Sequence, residues 1–238
     1  MHLHRVAFHP DRYPTETHYP FNLPLFRRTR EILFDSPVTL FVGENGSGKS
    51  TLLEALAHRC GIHIWKKENE RRLKHNPFED KLYRYISVEW NNGRVPGSFF
   101  GAAVFRDFAE FLEEWAAADA GQLHLFGGRS LMTQSHGQSI MSYFKSRYRI
   151  KGLYLLDEPE TALSPATQLK LLDLLTKAGT STDTQFIMAT HSPILLSCPR
   201  AVLYSFDHVP VISVAYEDTA HYRIYKAFFE NPRGSDGR

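Results

Sequence analysis

Apolar residues follow two rhythms along this chain. Short runs rich in β-branched and aromatic residues, at 2–8 (HLHRVAF), 38–43 (VTLFVG), 83–90 (YRYISVEW), 152–157 (GLYLLD), 184–190 (TQFIMAT), 200–206 (RAVLYSF) and 211–216 (VISVAY), predict strands. A helical period appears elsewhere: Val104, Phe105, Phe108, Phe111, Leu112 and Trp115 make one apolar stripe with Glu110, Glu113 and Glu114 outside it. A second helix is expected after Ser164 as cap and Pro165 in the first turn, with Leu169, Leu172 and Leu175 on its inner face and Gly179 as terminator. The order predicts an α/β fold, a mixed sheet with flanking helices. A core made of 1–61 and 150–216 is expected to be interrupted by a mainly helical lobe at 62–149 and followed by a polar tail, 217–238, whose last residues, NPRGSDGR, should fray. His2, His4 and His9 alternate on what should be an edge strand.

Composition narrows the class without naming a function. A chain of 238 residues that is 42% apolar can bury one full core, and a net charge of +2 does not announce a nucleic-acid partner. The first residues lack the apolar stretch of a signal peptide, and no run is long enough to span a bilayer, so a cytoplasmic protein with no direct membrane insertion is expected. Cys60 and Cys198 lack metal-ligand spacing and suit ordinary buried thiols. Of the 12 histidines, only His136 and His191 fall where chemistry is expected.

That chemistry begins at Gly43, Glu44, Asn45, Gly46, Ser47, Gly48, Lys49, Ser50 and Thr51, between an apolar strand and a run of Leu and Ala. Glycines let the backbone adopt positive φ and approach a ligand closely, so that several N–H groups point into one concavity at the positive end of the next helix. In this P-loop pattern the amides cradle phosphates, Lys49 reaches the β and γ oxygens, and the Ser50 hydroxyl ligates Mg²⁺. The alternative, a Gly-rich turn that happens to precede a lysine, occurs by chance in roughly one chain in a hundred of this length.

A second apolar run, Leu153 to Leu156, ends in Asp157 and Glu158. Asp157 at the carboxyl end of a strand can hold Mg²⁺ through water, and Glu158 can orient or deprotonate the attacking water. Further along come QSHGQS at 134–139 and THS at 190–192. This order of motifs resembles that of the ABC-type ATPases, and YPF at 19–21, the P-loop, SHGQS, LYLLDEPETALSP and QFIMATHSPILLSCPRA together resemble stand-alone bacterial ATPases of the SMC and RecF type, broadly called AAA family ATPases.

The resemblance implies ATP and Mg²⁺ as ligands, with His191 as a switch histidine. It implies that Ser135, Gly137 and Gln138 form a signature facing the γ-phosphate on a second copy, so that a homodimer closes on ATP and acts on an unidentified protein partner or on nucleic acid, as in genome maintenance or phage defence. Two departures stand out: no glutamine lies between Thr51 and Gln122 to serve as a Q-loop ligand, and Ser164 replaces the usual D-loop Asp. Tyr13, Tyr19, Phe21 and Phe26 are candidates for stacking on adenine or for packing. Nucleic-acid contact would use Lys145, Arg147, Arg149 and Lys151 with their neighbouring aromatics, and the cluster at 66–75; a solvated helix face is the competing account of both. A transporter's ATP-binding subunit is the alternative function, disfavoured by the missing Q-loop glutamine, and an intact Glu158 speaks against a nucleotide sensor without turnover.

Overall fold

The structure, a computed structural model, describes residues 1–65, 76–102, 104–119, 121, 128, 130–133, 136–180 and 183–231. Its centre is a six-stranded sheet in the order β5-β6-β7-β3-β8-β9, made of β3 (Val38–Val42), β5 (Gly97–Gly101), β6 (Gly152–Asp157), β7 (Thr184–Ala189), β8 (Val202–Ser205) and β9 (Ile212–Val214). Neighbours are parallel except β8 and β9. Continuous apolar strands suit this position because both faces are covered. Along β6, Leu153 and Leu155 pack into one core while Tyr154 and Leu156 pack into the other, and β7 divides Ile187 and Ala189 from Phe186 and Met188 in the same way.

One face carries α2 (Lys49–Cys60) and a three-stranded antiparallel sheet, β2-β1-β4, formed by β1 (Leu3–Phe8), β2 (Glu31–Leu33) and β4 (Ile86–Trp90). The opposite face carries α3 (Phe105–Ala118), α4 (His136–Arg147), α5 (Pro165–Ala178) and the one-turn α6 (Pro193–Leu196). Among the described residues two further α-helices form, α1 (Pro24–Arg28) and α7 (Ala220–Glu230).

All seven runs expected as strands contain one, and both expected helices form. Two details differ. β1 is central and not an edge: Val6 pairs with Ile32 on one side and Val88 on the other. Arg5 of the same strand makes a charge ladder across the three strands, meeting Glu31 at 3.0 Å and Glu89 at 2.8 Å. On α5 the buried residues are Leu171, Leu175 and Ala178, and Leu169 is 56% exposed. At about 100° per residue, positions six apart point roughly 120° from each other, too wide for one stripe.

The described part of 62–149 supplies β4 to the small sheet and β5 to the main one, and Phe105, Phe108 and Leu112 of α3 enter the main core. The tail holds a helix, α7, capped by Thr219, whose Oγ1 accepts from the Tyr222 N–H at 3.2 Å. Both cysteines are buried and free, and burial pushes the Cys60 thiol up to about 12.

Candidate active site

Parallel strands bring their carboxyl ends to one edge of the sheet, and register decides what meets there. Phe41 of β3 and Asp157 of β6 both pair with Ala189 of β7, and Val42 pairs with Ser205 of β8. The residues that follow therefore converge: the loop 43–48, Glu158, Thr190 with His191, and Asp207.

The loop uses its glycines differently. Gly43, Gly46 and Gly48 have φ of 154°, 78° and 103°. A side chain on Gly48 would come within 2.9 Å of the buried Phe26 ring, whereas one on Gly46 would enter open space. That open side is where the loop can admit a ligand. The first turn of α2, beginning at Lys49 with Gly48 as cap, offers its unpaired N–H groups to the same region.

Lys49 is only 4% exposed, and its Nζ donates to the carbonyls of Gly43 at 2.6 Å and Glu44 at 2.9 Å. Burial lowers its pKa, and Glu158, Asp207, Asp157 and Glu44 act in the opposite direction. A polyanion in the loop would stabilise the ammonium further.

Ser50 Oγ donates to Asp157 Oδ1 at 2.8 Å. Burial pushes Asp157 up to about 6; the Ser50 hydrogen bond opposes this, while Glu158 and Glu54 add to it. A hydroxyl hydrogen-bonded to a carboxylate is an oxygen donor pair suited to Mg²⁺.

Glu158 occupies the left-handed region at φ 45°, ψ 53°, a conformation that costs a non-glycine residue about 1–3 kcal/mol. Its N–H donates to the Ala189 carbonyl at 3.0 Å, and its own carbonyl accepts from the Thr161 hydroxyl at 2.9 Å. The turn carries Glu158 Oε1 to 3.5 Å from His191 Nε2. Glu160 acts on the backbone of the same histidine. Its Oε1 accepts the His191 N–H at 2.5 Å, and burial raises its pKa.

The loop after β7 is pinned on several sides. The Ser192 N–H donates to Thr190 Oγ1 at 3.1 Å, and Ser192 Oγ donates to Gln168 Oε1 of α5 at 2.6 Å. His191 Nδ1 lies 3.0 Å from His221 Nε2 of α7, and burial lowers the pKa of both imidazoles.

Lys49, Ser50, Asp157, Glu158 and His191 thus share one edge. Sequence reasoning missed three of their neighbours: Asp207, which accepts the Glu44 N–H at 2.8 Å, Gln168, and His221. Asp207 had a readable signal, since it follows an apolar strand as Asp157 does. His221 had none, being in a tail judged by its polar end.

Gln134 and Ser135 lie outside the described residues. Gly137 and Gln138 fall in the first turn of α4, and among the described residues a side chain on Gly137 would meet only the Ala162 carbonyl, at 3.8 Å. Among the adenine candidates, Phe21 and Phe26 are fully buried and Tyr13 packs on Phe21 and Tyr85. Tyr19 instead bonds the Thr51 hydroxyl beside a cavity of about 170 Å³ lined by Ser50, Thr51 and Glu54. Tyr143, Phe144 and Tyr148 are buried in the core, and Lys145, Arg149 and Lys151 beside them are exposed. The basic cluster at 66–75 is outside the described residues. Among the described residues, no helix is long and apolar enough to cross a membrane.

A family model described as an AAA domain matches residues 22–149, more than half of the chain and inclusive of the whole P-loop. The chain belongs to the AAA-domain P-loop ATPases. A second AAA-domain model, whose description names the AbiEii toxin of a type IV toxin–antitoxin system, matches 141–197 of this ATPase. The thiamine import ATP-binding protein ThiQ of Cereibacter sphaeroides is 28% identical over 168 residues, covering 64% of this chain and 69% of that protein. The petrobactin import ATP-binding protein FpuD of Bacillus anthracis is 23% identical over 178 residues, covering 69% of this chain and 65% of that protein. Among solved structures, the SMC head domain from Thermotoga maritima aligns with 90% of this ATPase and 99% of its own chain, at 17% identity and a TM-score of 0.48.

Proposed function

We propose that this ATPase hydrolyses ATP in composite sites formed by two copies of the chain, each supplying a P-loop to one site and a signature turn to the other, and that closure of the pair acts on a protein or nucleic-acid partner. The observation that carries the reading is the convergence of Lys49, the Ser50–Asp157 pair and Glu158 at one sheet edge.

On this reading the loop amides and Lys49 bind the phosphates, with Lys49 exchanging its bonds to the Gly43 and Glu44 carbonyls for phosphate oxygens. Ser50 and Asp157 hold Mg²⁺, which when bound neutralises charge on the phosphates. Glu158, turned toward the cleft by its backbone, orients the attacking water and takes its proton. His191 donates to the γ-phosphate. Glu160, Thr190 and Gln168 hold the His191 loop in place. Gly137 and Gln138 in the first turn of α4, together with Ser135 just before them in sequence, complete the partner copy's site.

Similarity to import ATP-binding proteins favours a second reading, in which the chain drives a membrane permease. The absence of a glutamine between Thr51 and Gln122 weighs against it. The toxin–antitoxin description of the second matching model is in keeping with a role in phage defence.

Glu158→Gln separates binding from chemistry. It should keep ATP affinity, slow turnover by about 100-fold or more, and elute as a dimer with ATP and Mg²⁺ in size-exclusion chromatography. Turnover at the parent rate would remove Glu158 from the reaction.

A further inference from the structure

A hydrogen bond between two neutral imidazoles needs an N–H on one ring and a lone pair on the other, so it ties the tautomer of each ring to that of its partner. His191 Nδ1 and His221 Nε2 are 3.0 Å apart, and burial disfavours the charged form of both. We propose that His221 is a positioning residue that donates its Nε2–H to His191 Nδ1 and so fixes His191 as the Nε2–H tautomer, a donor aimed at the phosphate end of the site.

The geometry decides between the two arrangements. If His191 donated through Nδ1, its Nε2 lone pair would face Glu158 Oε1 at 3.5 Å, a repulsive contact between two acceptors. If His221 donates, an N–H faces that carboxylate instead. His191 Nε2 is buried and has no hydrogen-bond partner among the described residues, so its N–H is left for a ligand oxygen. His221 in turn is fixed from behind. It is the second residue of α7, whose cap is Thr219, and the preceding turn is anchored to α6 by Tyr216 Oη donating to the Pro193 carbonyl at 2.9 Å. The Tyr216 and Tyr222 rings pack at 4.8 Å. α7 thereby reaches the loop that carries His191.

The inference rests on the reading of His191 as a γ-phosphate donor, and the experiment separates the two claims. In the full chain labelled with ¹⁵N-histidine, a long-range ¹H–¹⁵N spectrum at neutral pH should show His191 protonated at Nε2 and bare at Nδ1. A proton on Nδ1 overturns the proposal, with no variant needed. His221→Phe should mix the His191 tautomers and lower kcat for ATP about tenfold, the worth of one well-placed hydrogen bond, with KM within about twofold of the parent. His221→Gln, whose amide N–H can replace the imidazole donor, should restore both the spectrum and most of the rate.

If His191→Ala hydrolyses ATP at the parent rate, the reading of His191 fails while the tautomer result stands. If His191→Ala is slow but His221→Phe is not, His221 does not position it. A kcat loss in His221→Phe that His221→Gln matches would also count against the proposal, because shape and not hydrogen bonding would then be at fault.

Discussion

Asp157 is caught between burial and a single hydroxyl donor, and its elevated pKa, about 6 against 3.8 for an ordinary aspartate, makes a signed prediction. The folded state binds the proton more tightly than the unfolded chain, so the acid is no burden below about pH 4 and increasingly destabilises the fold as pH rises through 6. A difference of that size corresponds to about 1–3 kcal/mol once relaxation is allowed. Asp157→Asn keeps an oxygen for Ser50 and removes the buried charge, so it should raise the melting temperature by a few degrees at pH 7.5 and by nothing at pH 4, while Mg²⁺-dependent turnover is lost. A melting temperature lower than the parent at pH 7.5 would show that the carboxylate is stabilised by something else. Lys49 makes the complementary case. Lys49→Ala removes a buried ammonium whose bonds to Gly43 and Glu44 are replaceable by phosphate, and ATP affinity by calorimetry should fall at least about 100-fold, as expected for two charge-assisted hydrogen bonds.

At the scale of elements, the sequence made visible whatever depends on a repeating pattern or a local cap. The strands of the main sheet have apolar runs because both faces are buried, and Ser164, Pro165 and Gly179 mark the ends of α5 by local chemistry. Three-residue β2 and glycine-ended β5 carry no such period; only their neighbours in space make them strands. Likewise the loop, Asp157 and Glu158 were legible, since each is a short contiguous motif at the end of an apolar run. Gln168, Asp207 and His221 reach the site from segments distant in sequence. α5 supplies a test of the capping logic. Ser164 Oγ accepts from the Thr167 N–H at 3.4 Å, with Oγ1 of Thr167 at 3.0 Å. Ser164→Ala should cost about 1 kcal/mol in urea denaturation, whereas Ser164→Asp, which restores the residue usual in relatives of the ABC type, should cap the helix and gain from its dipole by about 0.3–1 kcal/mol. Equal stability of all three forms would mean that the long 3.4 Å contact contributes nothing.

For the whole molecule the decisive question is whether one chain contains a complete site. The P-loop, Asp157, Glu158 and His191 come from strand ends that meet within one copy, whereas Gly137 lies at the start of α4 on the opposite helical layer. Among the described residues, only the Ala162 carbonyl comes within 4 Å of the position a Cβ on Gly137 would take, which leaves room for a side chain. Gly137→Asp should therefore fold and bind ATP as a monomer. If the first turn of α4 faces the γ-phosphate bound to a second copy, the added carboxylate opposes a polyanion where N–H donors are needed, at a cost of several kcal/mol, and both ATP-driven dimerisation and turnover should fail. Mixing this variant with Lys49→Ala chains sharpens the test. A mixed pair holds one site with both lesions and one with neither, so an equal mixture should recover up to about a quarter of parent turnover under statistical pairing, while either variant alone stays inactive. A Gly137→Asp protein that still pairs on ATP and hydrolyses it at the parent rate would place the whole reaction within a single chain.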